Sequence, residues 1–356
     1  MYFTQHHIKF LIINPFLLMC NLGYAQIEKP FVNDWARDEL KGRVKQIEYY
    51  TDKKLQKKIT YNLSGFQTKY QVYNQSIPQT IFLSYESFYD TKGKLIKDVG
   101  ADFTTVNKYD ELGNLIENRV LSTSNKKTRS LQIFQYTERK ITHSKQTTFQ
   151  YNSNEIDLIN YTEYLYNEKN LLTEEIVSYT KANKLLLNKK ILYNYDDSNR
   201  RTSKIEFNGR GDTTQTFEYD SLGRTILISS RFPNKIQNTS SSDYIEYYKY
   251  DERGNRVEIS NFSSKGILLY KDENKFDVNG NCIKHSHYLK DKLTAEIIYV
   301  YDNNGWLSEE VRFSYGEQKK KILFNRDNHG NITKRIHFDG KHKQTLLLEY
   351  RIIYYD

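Results

Sequence analysis

Three side chains with metal-ligand chemistry lie close together in this chain: Cys282, His285 and His287. Thiolate and imidazole are ordinary ligands of zinc and copper. On an extended strand His285 and His287 share one face and Cys282 points to the other, so a single centre built from all three needs a bulge. Strand histidines facing solvent require no such device, and no metal centre is expected. Acidic turns such as Asp196-Asp197 and Asp302-Asn303-Asn304 offer oxygen ligands but lack the alternation and closing glutamate of an EF-hand loop. Turn capping accounts for them without an ion. Arg210-Gly211-Asp212 spells an adhesion tripeptide within a Gly-rich stretch, from residues that turns use anyway. No phosphate-cradling Gly-rich Lys loop, nucleophile elbow or His-Glu-x-x-His segment occurs, so no cofactor and no enzymatic activity are expected. Carboxylates on neighbouring strands can meet without a sequence signature, which leaves acid–base pairs outside this reading.

Tyrosine carries the richest binding chemistry. The chain has 31 Tyr, and a ladder of exposed rings on a curved sheet can stack on the apolar faces of sugars while Asn, Lys and Asp reach hydroxyls. The elements that position these rings are set by a recurring turn, aromatic-Asp-x-x-Gly. Clean copies are Tyr89-Asp90 with Gly93, Tyr109-Asp110 with Gly113, Tyr219-Asp220 with Gly223, Tyr250-Asp251 with Gly254, Phe276-Asp277 with Gly280, and Tyr301-Asp302 with Gly305. Aspartate at the first position can accept from an amide two residues on, and glycine at the fourth can take positive φ. The pattern suits a type I turn closed by a left-handed residue and a bulge, with the aromatic ending the incoming strand. Leu115-Ile116, Thr225 to Ile228 and Val257 to Ile259 then begin outgoing strands. Weaker copies are Tyr61-Asn62 with Gly65, Tyr166-Asn167 with Asn170, and Tyr195-Asp196 with Asn199. Asp327-Asn328-His329-Gly330 keeps the turn behind Arg326, and Tyr355-Asp356 resembles the opening of another copy. The motif tyrosines have a competing use as an internal spine, stacked on one another.

On these residues the chain resembles the YD-repeat, or Rhs-repeat, family, over roughly Tyr61 to Asp356 with copies ~20 to 31 residues apart. The resemblance implies antiparallel hairpins in a continuous spiralling sheet; the largest members close that sheet into a shell around a toxic cargo domain. It also implies an association with carbohydrate binding. The long members close their shell with a Pro- and Asp-containing self-cleavage segment. This chain departs from them: its prolines are Pro15, Pro30, Pro78 and Pro233, and its last residues lie inside a repeat. About 330 mature residues are also few for enclosing a separate domain.

Hydrophobic residues make up 38% of the chain, enough for a thin core and short of a broad globular interior. Residues 1–25 read as a signal peptide: Lys9, an apolar stretch from Phe10 to Leu22, and small residues at Gly23 and Ala25 before Gln26. A lipoprotein reading through Cys20 is the weaker one, because Met19 before it is not small. Cys282 is then the lone mature cysteine and forms no internal disulfide. No later segment has the apolar length of a transmembrane helix. A membrane β-barrel is disfavoured because charges such as Glu174-Glu175 and Lys189-Lys190 occupy both strand parities. Residues 26–43 lack the motif; Phe31, Trp35 and Leu40 suggest a short capping helix with Asp34 as N-cap and Gly42 as stop. The stretches Ser122 to Thr128 and Asn238 to Ser242 read as polar loops. The net charge of +9 is scattered among acids, which favours solubility or anionic surfaces over nucleic acid.

The expectation is therefore all-β: tandem antiparallel β-hairpins over residues 44–356 forming an elongated, curled YD-repeat sheet. The expected role is an exported, non-catalytic binding or interaction module at the periplasm or cell surface, with a glycan or another envelope protein as partner. One alternative is a structural scaffold that pairs with another chain through its sheet edges. A second is a remnant of a toxin shell.

Overall fold

The motif turns explain why the strands begin and end where they do. Asp90 donates its N–H to the Lys94 carbonyl (2.9 Å), and Gly93 donates to the Asp90 carbonyl (3.0 Å). The Asp90 carboxylate accepts from the amides of Lys92 and Lys94 at 2.9 and 2.8 Å. Gly93 has φ +80°, the left-handed region that glycine enters without a Cβ penalty. One extra residue on the outgoing strand follows, so Phe88 faces Lys97 while Tyr89 faces Leu95. The same six-residue step pairs Tyr109 with Leu115, Tyr250 with Arg256 and Tyr301 with Leu307. Each bulge turns the chain into the next strand and adds local twist.

The computed structural model describes residues 33–74, 76–77, 80–150, 155–181, 184–231 and 243–356, all within the unit Val32–Asp356. The expected signal peptide, Cys20, residues 26–32 of the capping segment and the loop Asn238 to Ser242 lie outside the described residues. A one-turn helix, α1 (Asp34–Arg37), comes first. Its N-cap is Asn33, whose side chain accepts from the Ala36 amide, and not Asp34 as the spacing suggested. Twenty-four strands follow among the described residues, beginning with β1 (Val44–Thr51), β2 (Lys54–Tyr61), β3 (Gln67–Tyr73), β4 (Ile81–Tyr89), β5 (Leu95–Val99) and β6 (Phe103–Tyr109). Next are β7 (Leu115–Ser122), β8 (Thr128–Thr137), β9 (Lys140–Phe149), β10 (Ile156–Tyr166), β11 (Leu172–Lys181) and β12 (Lys184–Tyr195). Then come β13 (Arg201–Asn208), β14 (Thr213–Tyr219), β15 (Thr225–Ser230), β16 (Tyr244–Tyr250), β17 (Arg256–Ser263) and β18 (Leu268–Phe276). The last are β19 (Cys282–Leu289), β20 (Lys292–Tyr301), β21 (Leu307–Ser314), β22 (Glu317–Arg326), β23 (Ile332–Asp339) and β24 (Gln344–Tyr354).

Every strand pairs antiparallel with the next, and β24 pairs back onto β1, with Tyr49 opposite Tyr350 and Ile47 opposite Ile352. The sheet is thus a closed β-barrel, all-β and antiparallel as expected but closed on itself where an elongated, curled sheet was expected. Closure satisfies the unpaired N–H and C=O groups that two edge strands would leave. It also removes the sheet edges on which a scaffold role would depend.

Connections alternate between the two rims. Turns leaving even-numbered strands share one rim, and all of these but the two-residue turn after β8 carry the motif or a weaker copy: 62–66, 90–94, 110–114, 167–171, 196–200, 220–224, 251–255, 277–281, 302–306 and 327–331. Turns leaving odd-numbered strands form the other rim, where Asp52-Lys53 and Lys290-Asp291 make two-residue connections with both φ values positive.

The ladder registers place Ile47, Ile59, Tyr61, Phe134, Ile191, Tyr193 and Ile322 on one face of the sheet, all below 9% exposed. This crowding identifies the inner, concave face. The outer face carries cross-strand ion pairs, among them Lys69–Glu86 (2.7 Å), Lys190–Glu174 (2.6 Å), Lys249–Glu258 (2.9 Å) and Lys334–Glu349 (3.3 Å). The most deeply buried cluster, Val44, Ile47, Ile59 and Tyr61, lies at the β24–β1 seam and is covered by Trp35 and Leu40.

Candidate functional site

The motif aromatics stitch the rim. Adjacent strands β3 and β4, for example, are joined only at the opposite rim, so their ends beside the motif turns have no covalent link. Tyr89 spans that gap by donating its hydroxyl to the Gln67 carbonyl (2.9 Å). Tyr109 donates to Leu95 (2.9 Å), Tyr136 to Leu115 (3.0 Å), Tyr166 to Ile141 (2.9 Å), Tyr195 to Leu172 (2.7 Å), Tyr250 to Thr225 (2.8 Å) and Tyr301 to Cys282 (2.8 Å). Each acceptor stands two residues past the positive-φ residue that closes the preceding turn. Phe276 has no hydroxyl, and Asn274, two residues earlier on the same face, donates to the equivalent Arg256 carbonyl (3.0 Å). Arg326, at the aromatic position of its turn, reaches the Leu307 carbonyl (3.4 Å).

The rings are covered by cations more than by one another. Lys94 lies 5.1 Å from the Tyr109 ring centre, Arg224 4.5 Å from Tyr250, and Arg201 5.9 Å from Tyr219. Burial, with the nearby Asp34 charge, pushes the Tyr89 phenol up to about 12, so it stays a neutral donor across the physiological range.

Between two motif turns this rim opens into a cleft of about 550 Å³. The hairpin 62–66 and strand β3 form one wall, with Asn62, Ser64, Phe66 and Thr68; Ser87 to Gly93 and Ile96 form the other. Phe66 stacks on Tyr89 with ring centres 4.9 Å apart and planes at 26°, giving an aromatic floor. Phe88 stands 45% exposed at the mouth. Ser87 donates to Asp98 (2.9 Å), whose carboxyl burial raises despite that bond. Helix α1 abuts the cleft: Asn33 donates to the Ser64 carbonyl (2.8 Å) and Trp35 to the Gly65 carbonyl (3.2 Å).

The residues singled out for other chemistry fall elsewhere. His285 and His287 share the inner face and engage Asn274 (2.9 Å) and Asp272 (2.6 Å) respectively. Cys282 sits at a bulge opposite Phe276, its thiol pushed up by burial. Arg210-Gly211-Asp212 lies at the rim away from the motif turns, where the Asn208 side chain accepts the amides of Arg210 and Asp212. Two inner carboxylate clusters carry no sequence signature. Glu246 accepts hydroxyls from Tyr248 and Tyr270, and Glu206 is held by Lys189 (2.5 Å) and Lys204 (2.6 Å).

No family model matches this chain, and no curated protein matches it. Among solved structures, the chain is similar to a Tc holotoxin pore of Photorhabdus luminescens at 11% identity, covering 82% of this chain and 18% of that one with a TM-score of 0.43. A crystal structure of TcdB2-TccC3 without its hypervariable C-terminal region is similar at 13% identity, over 79% of this chain and 17% of that one, with a TM-score of 0.35. A porin-like protein from Bacteroides uniformis is similar at 11% identity, over 63% of this chain and 95% of that one, with a TM-score of 0.29. The chain spans less than a fifth of the length of the toxin chains it resembles.

Proposed function

We propose that this chain is a non-catalytic saccharide-binding ring of the YD-repeat type, exported to the cell envelope, with the cleft between the hairpins at 62–66 and 90–93 as its binding site. The observation that carries the reading is the cleft itself. Its volume of about 550 Å³ falls within the range of about 300–1,000 Å³ usual for small-ligand sites, and its lining combines the hydroxyl side chains of Ser64, Thr68, Ser87 and Thr91 with the stacked rings of Phe66 and Tyr89. Of the motif tyrosines only Tyr89 lines the cleft, through its ring, while its hydroxyl stays on the Gln67 carbonyl. Export rests on the leader-like residues Met1 to Gln26. Outer-face ion pairs such as Lys190–Glu174 and Lys249–Glu258 favour a barrel bathed in water over one embedded in lipid.

The test is glycan-array binding of the purified chain beside Phe88→Ala and Ser64→Ala variants. Saturable binding weakened at least about tenfold in both variants, with melting temperature kept within a few degrees, is the expected result. Absence of binding to every glycan, or binding untouched by both changes, rejects the cleft as a saccharide site.

A further inference from the structure

The inner face of β21, β22 and β23 holds cationic groups that its own residues do not fully partner. Arg312 faces Lys320 across the β21–β22 ladder, while Ile322 faces His337 and Phe324 faces Arg335 across β22–β23. Glu310 shares this face but is tied to Arg312. Asp339 stands opposite Lys320, yet its carboxylate accepts the amides of Lys341 and Lys343, both at 2.9 Å. Arg335 lies 5.6 Å from the ring centres of both Phe324 and Tyr350, which fixes its guanidinium against apolar surfaces.

A second observation points to a ligand. His337 is only 9% exposed, and its Nε2 is buried without a hydrogen-bond partner; so is the Nε of Arg335. Buried polar atoms of this kind are costly unless something satisfies them. Burial lowers the His337 pKa, and the neighbouring Lys320 and Arg335 charges lower it further, as a positive local potential must. Lys320 and Arg335 are part-exposed beside buried His337, and the neighbouring Arg312 side chain is 49% exposed.

We propose that Lys320, Arg335 and His337 form an oxyanion site on the inner wall, for a phosphate or sulfate group. Three acceptor-seeking side chains on adjacent strands suit a tetrahedral anion: an ammonium as point charge, a guanidinium with several N–H donors and a neutral imidazole offering one N–H. The site is separate from the rim cleft and stands or falls without it. Its anion is either free or the ester group of an acidic saccharide.

The experiment titrates the full folded chain with sodium sulfate and sodium phosphate at low ionic strength, following the His337 imidazole resonances and the heat of binding. A sulfated dextran oligosaccharide and its unsulfated counterpart form the second arm. The expected result is a saturable His337 shift with either ion, and affinity reduced about tenfold by Lys320→Gln and by Arg335→Lys. The outer-face control Lys334→Gln leaves it unchanged. Tighter binding of the sulfated oligosaccharide than of free sulfate identifies a saccharide source; equal affinity identifies the free ion. No saturable His337 shift overturns the proposal, as does equal loss in Lys320→Gln and Lys334→Gln. The wild-type His337 signal keeps the test decisive if Arg335→Lys fails to fold.

Discussion

At the scale of single residues, tyrosine hydroxyl–carbonyl bonds such as Tyr89–Gln67 and Tyr301–Cys282 hold the rim between strands that no turn joins there. A part-buried hydrogen bond of this kind contributes about 1 kcal/mol net. Tyr301→Phe, which deletes the donor to Cys282 and keeps the ring, should therefore cost about 1 kcal/mol in urea unfolding. Phe276 offers the complementary experiment. Asn274→Ala, which also removes the bond to His285, should destabilise by about 2 kcal/mol, and adding Phe276→Tyr should restore about half of it by returning the hydroxyl that other copies use. Charge at Glu206 sets a pH dependence. Burial works against its ionised form, but hydrogen bonds from Lys189 and Lys204 outweigh it and hold the carboxyl below the usual glutamate range. A lowered folded value means that this stabilisation is fully present above the ordinary glutamate pKa and is lost as pH falls through the lowered one. The melting-temperature gap between wild type and Glu206→Gln should accordingly be widest near pH 7 and shrink under strong acid.

At the scale of elements, equivalent glycines in the motif turns differ in what surrounds them. Gly223 has φ +75° and open space where a Cβ would sit, so Gly223→Ala should cost only the left-handed strain, about 1 kcal/mol. Gly65 has φ +82°, and an added Cβ would meet Asn33 and Trp35 side chains at 2.5 and 2.6 Å. Gly65→Ala should cost clearly more, because it also displaces α1 from the hairpin, and denaturant midpoints of the two variants check the order. The turns themselves were legible in the sequence because Asp and Gly act within five residues. Tyr136 was not, since its strand ends in the two-residue turn Glu138-Arg139 without Asp or Gly at the motif spacing. The helix start was misplaced by one residue: Asn33 and Asp34 are both good caps, and contact with the hairpin at 62–66 decides between them. The cleft and the patch around Lys320 join residues through ladder register, which no single segment encodes.

At the scale of the whole molecule, closure depends on a seam between strands that are almost the full chain apart in sequence. The segment from Asn33 to Arg43 bridges it. Lys41 and Asn331 exchange backbone–side-chain hydrogen bonds at 2.8 and 2.7 Å, Trp35 donates from its ring to the Val44 carbonyl (2.8 Å), and Asp34 accepts the Gln67 amide (2.5 Å). Trp35→Ala should loosen the seam before the rest, so amide exchange in β1 and β24 should accelerate more than in β12 and β13. Closure could not be read from the motif, because a repeat specifies its neighbours and not the number at which the first meets the last. Nor did the sequence place the segment at a seam; it suggested a cap on a free edge, and the pairing of β1 with β24 leaves no such edge.

The restriction of Asp-x-x-Gly turns to connections leaving even-numbered strands sets the unit by which such a ring can evolve. Loss or gain of one strand would send later motifs to the wrong end and leave two neighbours running the same way at the join. Duplication of one whole hairpin preserves both polarity and the tyrosine hand-off to the preceding turn, and widens the circumference by two inter-strand spacings, roughly 9.5 Å. Ring size in this architecture is therefore a quantity that unequal recombination can adjust in even steps, without redesigning any strand.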